Sequence, residues 1–212
     1  MAIYLRTGEA RATNKDSRRT AVLERLVTVA EDMLVDRPVS DIALGEILQK
    51  AKVARATFYK LFNDLLHFYQ YLADRLSEIL LHAQLDGYED IDPDDWRAMV
   101  IHMADRGAEF YRTHPVALRL WLAIDRPPSI RAADDVNVQI FLDRFHGRFQ
   151  DRAWWARLPD PAKGGVDVMT ASFRIYDAVL ALGFQTAGPH VPQAWFDEAK
   201  RASLAYLGSW LE

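Results

Sequence analysis

The sequence predicts an all-α protein: an N-terminal three-helix unit built on a helix-turn-helix, then a larger helical body, with about nine helices in all. Three observations predict it. Apolar residues recur three and four apart along nearly the whole chain, and strand-like alternation is scarce. Glycine and proline fall in a few clusters, each of which punctuates a helical pattern. Residues 43–62 hold two short helical patterns around a tight turn. The chain has 212 residues, of which 50% are hydrophobic, so a sizeable core can be buried.

The first helix is expected from Asp16 to Asp36. Asp16 or Ser17 accepts from its free amides, Val22, Leu26, Val29, Ala30 and Met33 form the inward stripe, and Arg37-Pro38 ends it. The second runs from Ala43 to Lys50, with Leu44, Ile47, Leu48 and Ala51 at helical spacing. The third follows the turn at Lys52-Val53-Ala54 and reaches Phe62. The fourth spans Asp64 to Leu85, striped by Leu65, Tyr69, Leu72, Leu76, Ile79 and Ala83, and Gly87 stops it. The fifth starts at Asp92-Pro93, an acceptor followed by proline at the first helical position. His114-Pro115 opens the sixth, and Pro127-Pro128 precedes the seventh, which carries Val138, Phe141, Phe145 and Phe149. Leu158 to Gly165 is the clearest loop. The eighth helix runs to Thr186, Gly188-Pro189 ends it, and the ninth covers Pro192 to Trp210. The division into units is expected at residues 1–64 and 65–212, without a flexible linker, because the fourth helix starts at once.

Composition removes several function classes. The chain has no cysteine, which excludes disulfides, thiol catalysis and cysteine-held metal centres. No run of about 18 apolar residues offers a membrane span. Residues 1–15 lack the apolar block of a signal peptide and read as a loosely ordered arm. A cytoplasmic location is expected. There is no glycine-rich phosphate loop, no Gly-x-Ser-x-Gly elbow, no His-Glu-x-x-His helix and no pair of histidines four apart. The adjacent acids Asp94-Asp95 and Asp134-Asp135 read as caps and solvated faces. An enzyme is not expected, nor is a cofactor or a metal. The net charge is −4, but residues 1–64 carry 11 Lys and Arg against 9 Asp and Glu, so the acidic excess lies in the body.

The segment from Ala51 to Phe62 points to DNA. Ile47, Leu48, Val53, Phe58 and Phe62 face inward and fix the angle between the second and third helices, which leaves Arg55, Thr57, Tyr59 and Lys60 outside. Arg55 suits bidentate reading of guanine, and Thr57 a thymine methyl or a phosphate. Arg18 and Arg19 at the start of the first helix can meet phosphates, with Arg11 and Lys15 on the arm ahead.

These residues resemble the TetR family of bacterial transcriptional repressors. The resemblance covers residues 17–68 and rests on Ile47-Leu48, Ala51, Lys52-Val53-Ala54, Ala56-Thr57-Phe58-Tyr59 and Phe62, with Arg18-Arg19 ahead of Val22, Leu26 and Ala30. Three positions depart from the family pattern: Lys52 stands where glycine is usual, Ala54 where Ser or Thr is usual, and Leu65 where a lysine meets a phosphate. Lys52 restores a positive charge close by. The resemblance assigns Tyr59 and Lys60 mainly to the sugar–phosphate backbone. It implies a regulator, most often a repressor, that binds a palindromic operator on double-stranded DNA as a homodimer and is released by a small effector.

The remaining sites follow from the same reading. Aromatic and methionine side chains crowd the body, and a largely apolar or amphiphilic effector is expected among Tyr69, Trp96, Met99, His102, Met103, Phe110, Trp121, Phe141, Phe145 and Tyr176, with Arg174 and Asp177 as further polar candidates. The resemblance places that pocket between the fourth and eighth helices. The dimer surface is expected on the last two helices, at Phe173, Leu180 and Phe184 on one and Trp195, Ala199, Ala202 and Leu207 on the other. The alternative reading, which the three departures keep open, is a helical interaction module of the same fold that has lost DNA binding.

Overall fold

The computed structural model describes residues 14–123 and 127–212. Of the arm expected over residues 1–15, residues 1–13, with Arg11, lie outside the described residues, as do the side chains of Lys15 and Asp16, while Asn14 and Lys15 already belong to the first helix.

Nine α-helices and four single 3-10 turns make up the described residues: α1 (Asn14–Asp36), α2 (Leu44–Ala51), α3 (Arg55–Phe58), α4 (Leu65–Leu85), α5 (Trp96–Thr113), α6 (Val116–Leu122), α7 (Pro128–Phe149), α8 (Val168–Ala187) and α9 (Gln193–Leu211). The breaks fall where the chain loses its backbone options. Pro38 carries φ −65° in extended backbone after α1. Gly87 and Gly188 take positive φ after α4 and α8.

One helix start and one helix end differ from the sequence expectation. Asp92 does not cap α5: its Oδ1 accepts from Asp94 N, and the chain turns before Asp95 caps the helix by accepting from Ala98 N at 2.9 Å. A carboxylate that already closes a local turn is not available to start a helix. The third helix is shorter than expected. It ends at Phe58, and Tyr59 to Phe62 continue as turns held by Lys60 N→Thr57 O and Phe62 N→Phe58 O bonds. The loop from Leu158 to Gly165 contains a 3-10 turn at Pro161–Lys163, started by Asp160, which accepts from Ala162 N.

The core is continuous from the N-terminal helices into the body. Leu26, Ala30 and Leu34 of α1, Ile47 and Leu48 of α2, Phe58, and Phe68, Leu72 and Leu76 of α4 belong to one buried cluster with Leu118, Leu120 and Trp121 of α6 and Leu180 of α8. Helix α6 packs on α1, α4 and α8, so the body meets the N-terminal unit through α4 and α6 together. A second apolar cluster, built on Trp96, Met99, Phe145, Phe149, Trp154 and Leu207, closes the far end of the body. Helices α8 and α9 form the most extensive helix pair, and Gly183 allows their approach: a Cβ there would lie 2.7 Å from Trp195 Cγ.

Candidate functional site

The short α3 is held from beneath. Phe58 has no exposed surface, and Val53, Phe62, Ile47 and Leu48 are buried around it. The rings of Phe58 and Phe62 lie 5.3 Å apart and that of Phe68 packs edge-on against both. With the lower face fixed, the upper face is left in solvent. Arg55, Tyr59 and Lys60 are exposed, Thr57 is half-buried, and the Tyr59 ring stands edge-on to Phe58. Arg18 and Arg19 are exposed in the first turns of α1.

The turn before α3 shows why the departures at Lys52 and Ala54 matter. Lys52 ends α2 in left-handed backbone at φ 53°, the one positive φ outside glycine among the described residues. A side chain there costs about 1–2 kcal/mol relative to ordinary backbone. Its side chain is exposed, in the turn just before α3. Ala54 precedes α3 in extended backbone and offers no side-chain acceptor to the free amides. Leu65, at the first position of α4, is half-buried, and Asp64 caps that helix by accepting from His67 N at 2.7 Å.

An open cavity of about 660 Å³ lies between α4 and α7, with Tyr111 of α5, Trp121 of α6 and Phe173 and Asp177 of α8 in its wall. It adjoins a narrow apolar slot of about 90 Å³, and Gln84, Tyr111, Phe141, Phe173 and Asp177 border both spaces. The slot takes in Met103, Phe145 and Tyr176; the wider cavity takes in Trp121. Phe141 borders each.

Other expected pocket residues stand elsewhere. Tyr69 and Phe110 are buried in the main core, and Trp96 and Met99 belong to the far cluster. Their inward spacing is real, but each is consumed by helix packing. His102 is half-buried beside Gly87 and lines neither space. Burial pushes the Tyr69 phenol well above its ordinary range.

The cavity has members that the sequence reading did not assign to it. Leu61, Phe62, His67 and Tyr71 bring the foot of the helix-turn-helix and the first turns of α4 into the wall. Asp134 is not a solvated cap: it is buried within α7, on the same stripe as Ile130, Val138 and Phe141. That spacing of four, four and three was the signal that could have found it.

The stripes expected to meet a second copy are largely used inside the protomer. Leu180 and Ala199 have no exposed surface, Phe184 and Leu207 are buried, Phe173 borders the cavity, and Trp195 packs over Gly183. Ala202 is half-buried. The outward surfaces of the two helices carry Ala178 and Leu182 on α8 and Ala205 and Trp210 on α9. The cause is that α8 and α9 pack first on each other and on α5 and α6, so their most apolar faces turn inward.

Among the described residues no group of acidic or histidine side chains is arranged to hold a metal, and no helix is long and apolar enough to cross a membrane.

A family model described as the tetracyclin repressor-like C-terminal domain matches residues 94–209. No curated protein matches the chain. Among solved structures, a TetR-family transcriptional regulator from Streptomyces coelicolor superposes with a TM-score of 0.64 at 20% identity, over 90% of this chain and 99% of that one. A TetR family transcription regulator from Marinobacter aquaeolei VT8 superposes with a TM-score of 0.53 at 15% identity, over 90% and 97% of the two chains. At these identities the likeness is one of fold.

Proposed function

This chain belongs to the TetR family of transcriptional regulators, and from that premise we propose that it binds a palindromic operator as a homodimer and releases it when a small molecule occupies the cavity beside α4. The observation that carries the reading is the row of exposed side chains Arg55, Tyr59 and Lys60, with Thr57 at its edge, set on buried Val53, Phe58 and Phe62. A rigid short helix with polar side chains outward enters a major groove, where Arg55 reads guanine while Tyr59, Lys60, Lys52, Arg18 and Arg19 hold phosphates. Two such helices about 34–36 Å apart read two half-sites of a symmetric operator. The outward faces of α8 and α9, around Ala178, Leu182 and Ala205, are the surfaces through which two copies would join as a four-helix bundle.

Phe62 supports the coupling. It packs under α3 against Phe58, meets the Tyr71 ring of α4 at a tilt with centroids 5.5 Å apart, and forms part of the cavity wall. A molecule that fits the cavity in only one of two α4 orientations shifts the population of that orientation by its difference in affinity. Because Phe62 belongs to both places, such a shift reaches the recognition helix without a relay.

Selection of bound sequences from a random DNA pool tests the reading. The expected result is enrichment of an inverted repeat whose half-sites lie about one helical turn apart. Recovery of an unenriched pool at moderate salt would overturn it.

A further inference from the structure

We infer that the narrow slot beside the α4–α7 cavity takes the unbranched alkyl tail of an amphiphilic ligand whose bulkier head sits in the cavity, and that Gly107 sets how long a tail it accepts. This rests on the proposed reading of the cavity as the effector site and specifies the class of its ligand.

The two spaces differ in width. The cavity measures about 660 Å³ and the slot about 90 Å³. An apolar cavity that takes benzene has roughly 150 Å³, so the slot is too small for a ring. At a water-sized ~30 Å³ for each methylene, it holds about three carbons in a row. Tyr111, Trp121, Phe141 and Phe173 border the cavity, so a flat head meets rings there.

Three polar side chains in the slot wall are tied to backbone carbonyls. Gln84 donates from Nε2 to Met103 O at 3.3 Å, the Tyr176 hydroxyl donates to Ala104 O at 3.4 Å, and the Ser203 hydroxyl donates to Ser172 O at 3.2 Å. Around them the wall is hydrocarbon and thioether, from Val100, Met103, Leu142 and Met169. Phe145 and Leu207, buried in the far cluster, belong to the same wall and back the slot on that side. A chain of methylenes asks for no hydrogen bond, and the two flexible methionines adjust to its thickness.

Gly107 is buried inside α5 and borders the slot. A glycine there gives up helix stability relative to alanine. Packing does not require it. At Gly183 a Cβ would lie 2.7 Å from Trp195 Cγ, but at Gly107 it would stand 3.4 Å from Gln84 Nε2 and 3.7 Å from the Tyr176 hydroxyl, which are ordinary contacts. What the missing side chain leaves is room between two residues of the slot. A methyl group placed there would take about a third of that room.

The test uses phenyl alkyl ketones, which keep one flat head and lengthen an uncharged tail. The unbranched series from acetophenone to octanophenone, and pivalophenone as the branched isomer of valerophenone, are titrated calorimetrically into the full chain, into Gly107→Ala and into Met103→Ala. Melting curves confirm folding, and Gly107→Ala should melt higher than the wild type. The expected result is that affinity rises about fourfold per tail carbon and levels off after about three or four. Pivalophenone should bind roughly tenfold weaker than valerophenone. Gly107→Ala should bring the limit about one carbon earlier while acetophenone binds as before, and Met103→Ala should move it about two carbons later. Either variant decides alone if the other does not fold. Affinity that keeps climbing with tail length in all three proteins, equal binding of the two isomers, no binding of any ketone, or a limit that neither variant moves would overturn the inference. The effector reading fails separately: a ketone series that shows the length limit yet leaves the selected operator fully bound keeps the tail slot and removes its regulatory role.

Discussion

Arg119 of α6 ties the end of α1 to the body. Its Nε donates to the carbonyl of Leu34 at 3.2 Å, its Nη2 donates to the carbonyl of Val35 at 3.3 Å, and the guanidinium lies 5.1 Å over the ring of Phe184. The last carbonyls of a helix lack partners within it and carry partial negative charge, so a cation placed there answers both needs. The contact makes α6 a second bridge, beside α4, between the N-terminal unit and the body. Arg119→Ala should lower stability by about 2 kcal/mol, the usual range for hydrogen bonds to a charged group. Urea unfolding checks it: the midpoint should fall with the slope unchanged.

Lys52 sets stability against affinity. Lys52→Gly relieves the left-handed backbone and should raise stability by about 1 kcal/mol. It also removes an exposed cation from the turn before α3, so affinity should drop on specific and random DNA alike, and the salt slope should fall by about 0.9. Ala54→Ser should add about 1 kcal/mol through an acceptor for the α3 amides. Paired melting and binding isotherms would show the two Lys52 effects with opposite sign.

The α8–α9 contact depends on a missing side chain. In Gly183→Ala the new Cβ meets Trp195, with overpacking of about 1–3 kcal/mol set against about 1 kcal/mol of better helix propensity. A net loss near 1 kcal/mol is expected. In a Trp195→Ala background the same substitution should be neutral or stabilising, and a double-mutant cycle of melting free energies reads that change of sign.

Glu31 of α1 is half-buried, and burial, opposed by the charges of His114 and Arg75, holds its carboxyl above the usual value of 4.5. The folded protein therefore keeps this proton longer than the unfolded chain. The stabilisation is full below the unfolded value and is lost as pH rises through the folded one. Glu31→Gln should be nearly neutral at pH about 4 and stabilising at pH 7. Melting points of both proteins over that interval check it.

The helices and their breaks were legible because local rules wrote them. Proline after Arg37, the His114-Pro115 step and Gly188 act on their own backbone. The buried face of the helix-turn-helix was legible for the same reason: Ile47, Val53, Phe58 and Phe62 sit at spacings that turn them to one side, and all four are buried. The cavity was less so. Inward spacing shows that Trp96, Met99 and Phe110 are buried, but which neighbour fills the space beside them depends on how α5, α7 and α9 cross. Asp134 was misread because an acid next to another acid suggests a cap, whereas α7 starts six residues earlier, at Pro128. On α8 and α9 the apolar stripes served the protomer, and the outward faces rest on small residues such as Ala178 and Ala205, which periodicity marks weakly.

If Arg55 reads bases from the exposed α3, its loss is felt most at one DNA sequence. The most direct measurement is the affinity of the wild type and of Arg55→Ala for the selected operator and for random DNA across a salt series. Arg55→Ala should lose about 1–3 kcal/mol at the operator and much less on random DNA. Equal losses on both, or salt-independent binding, would contradict base reading by Arg55.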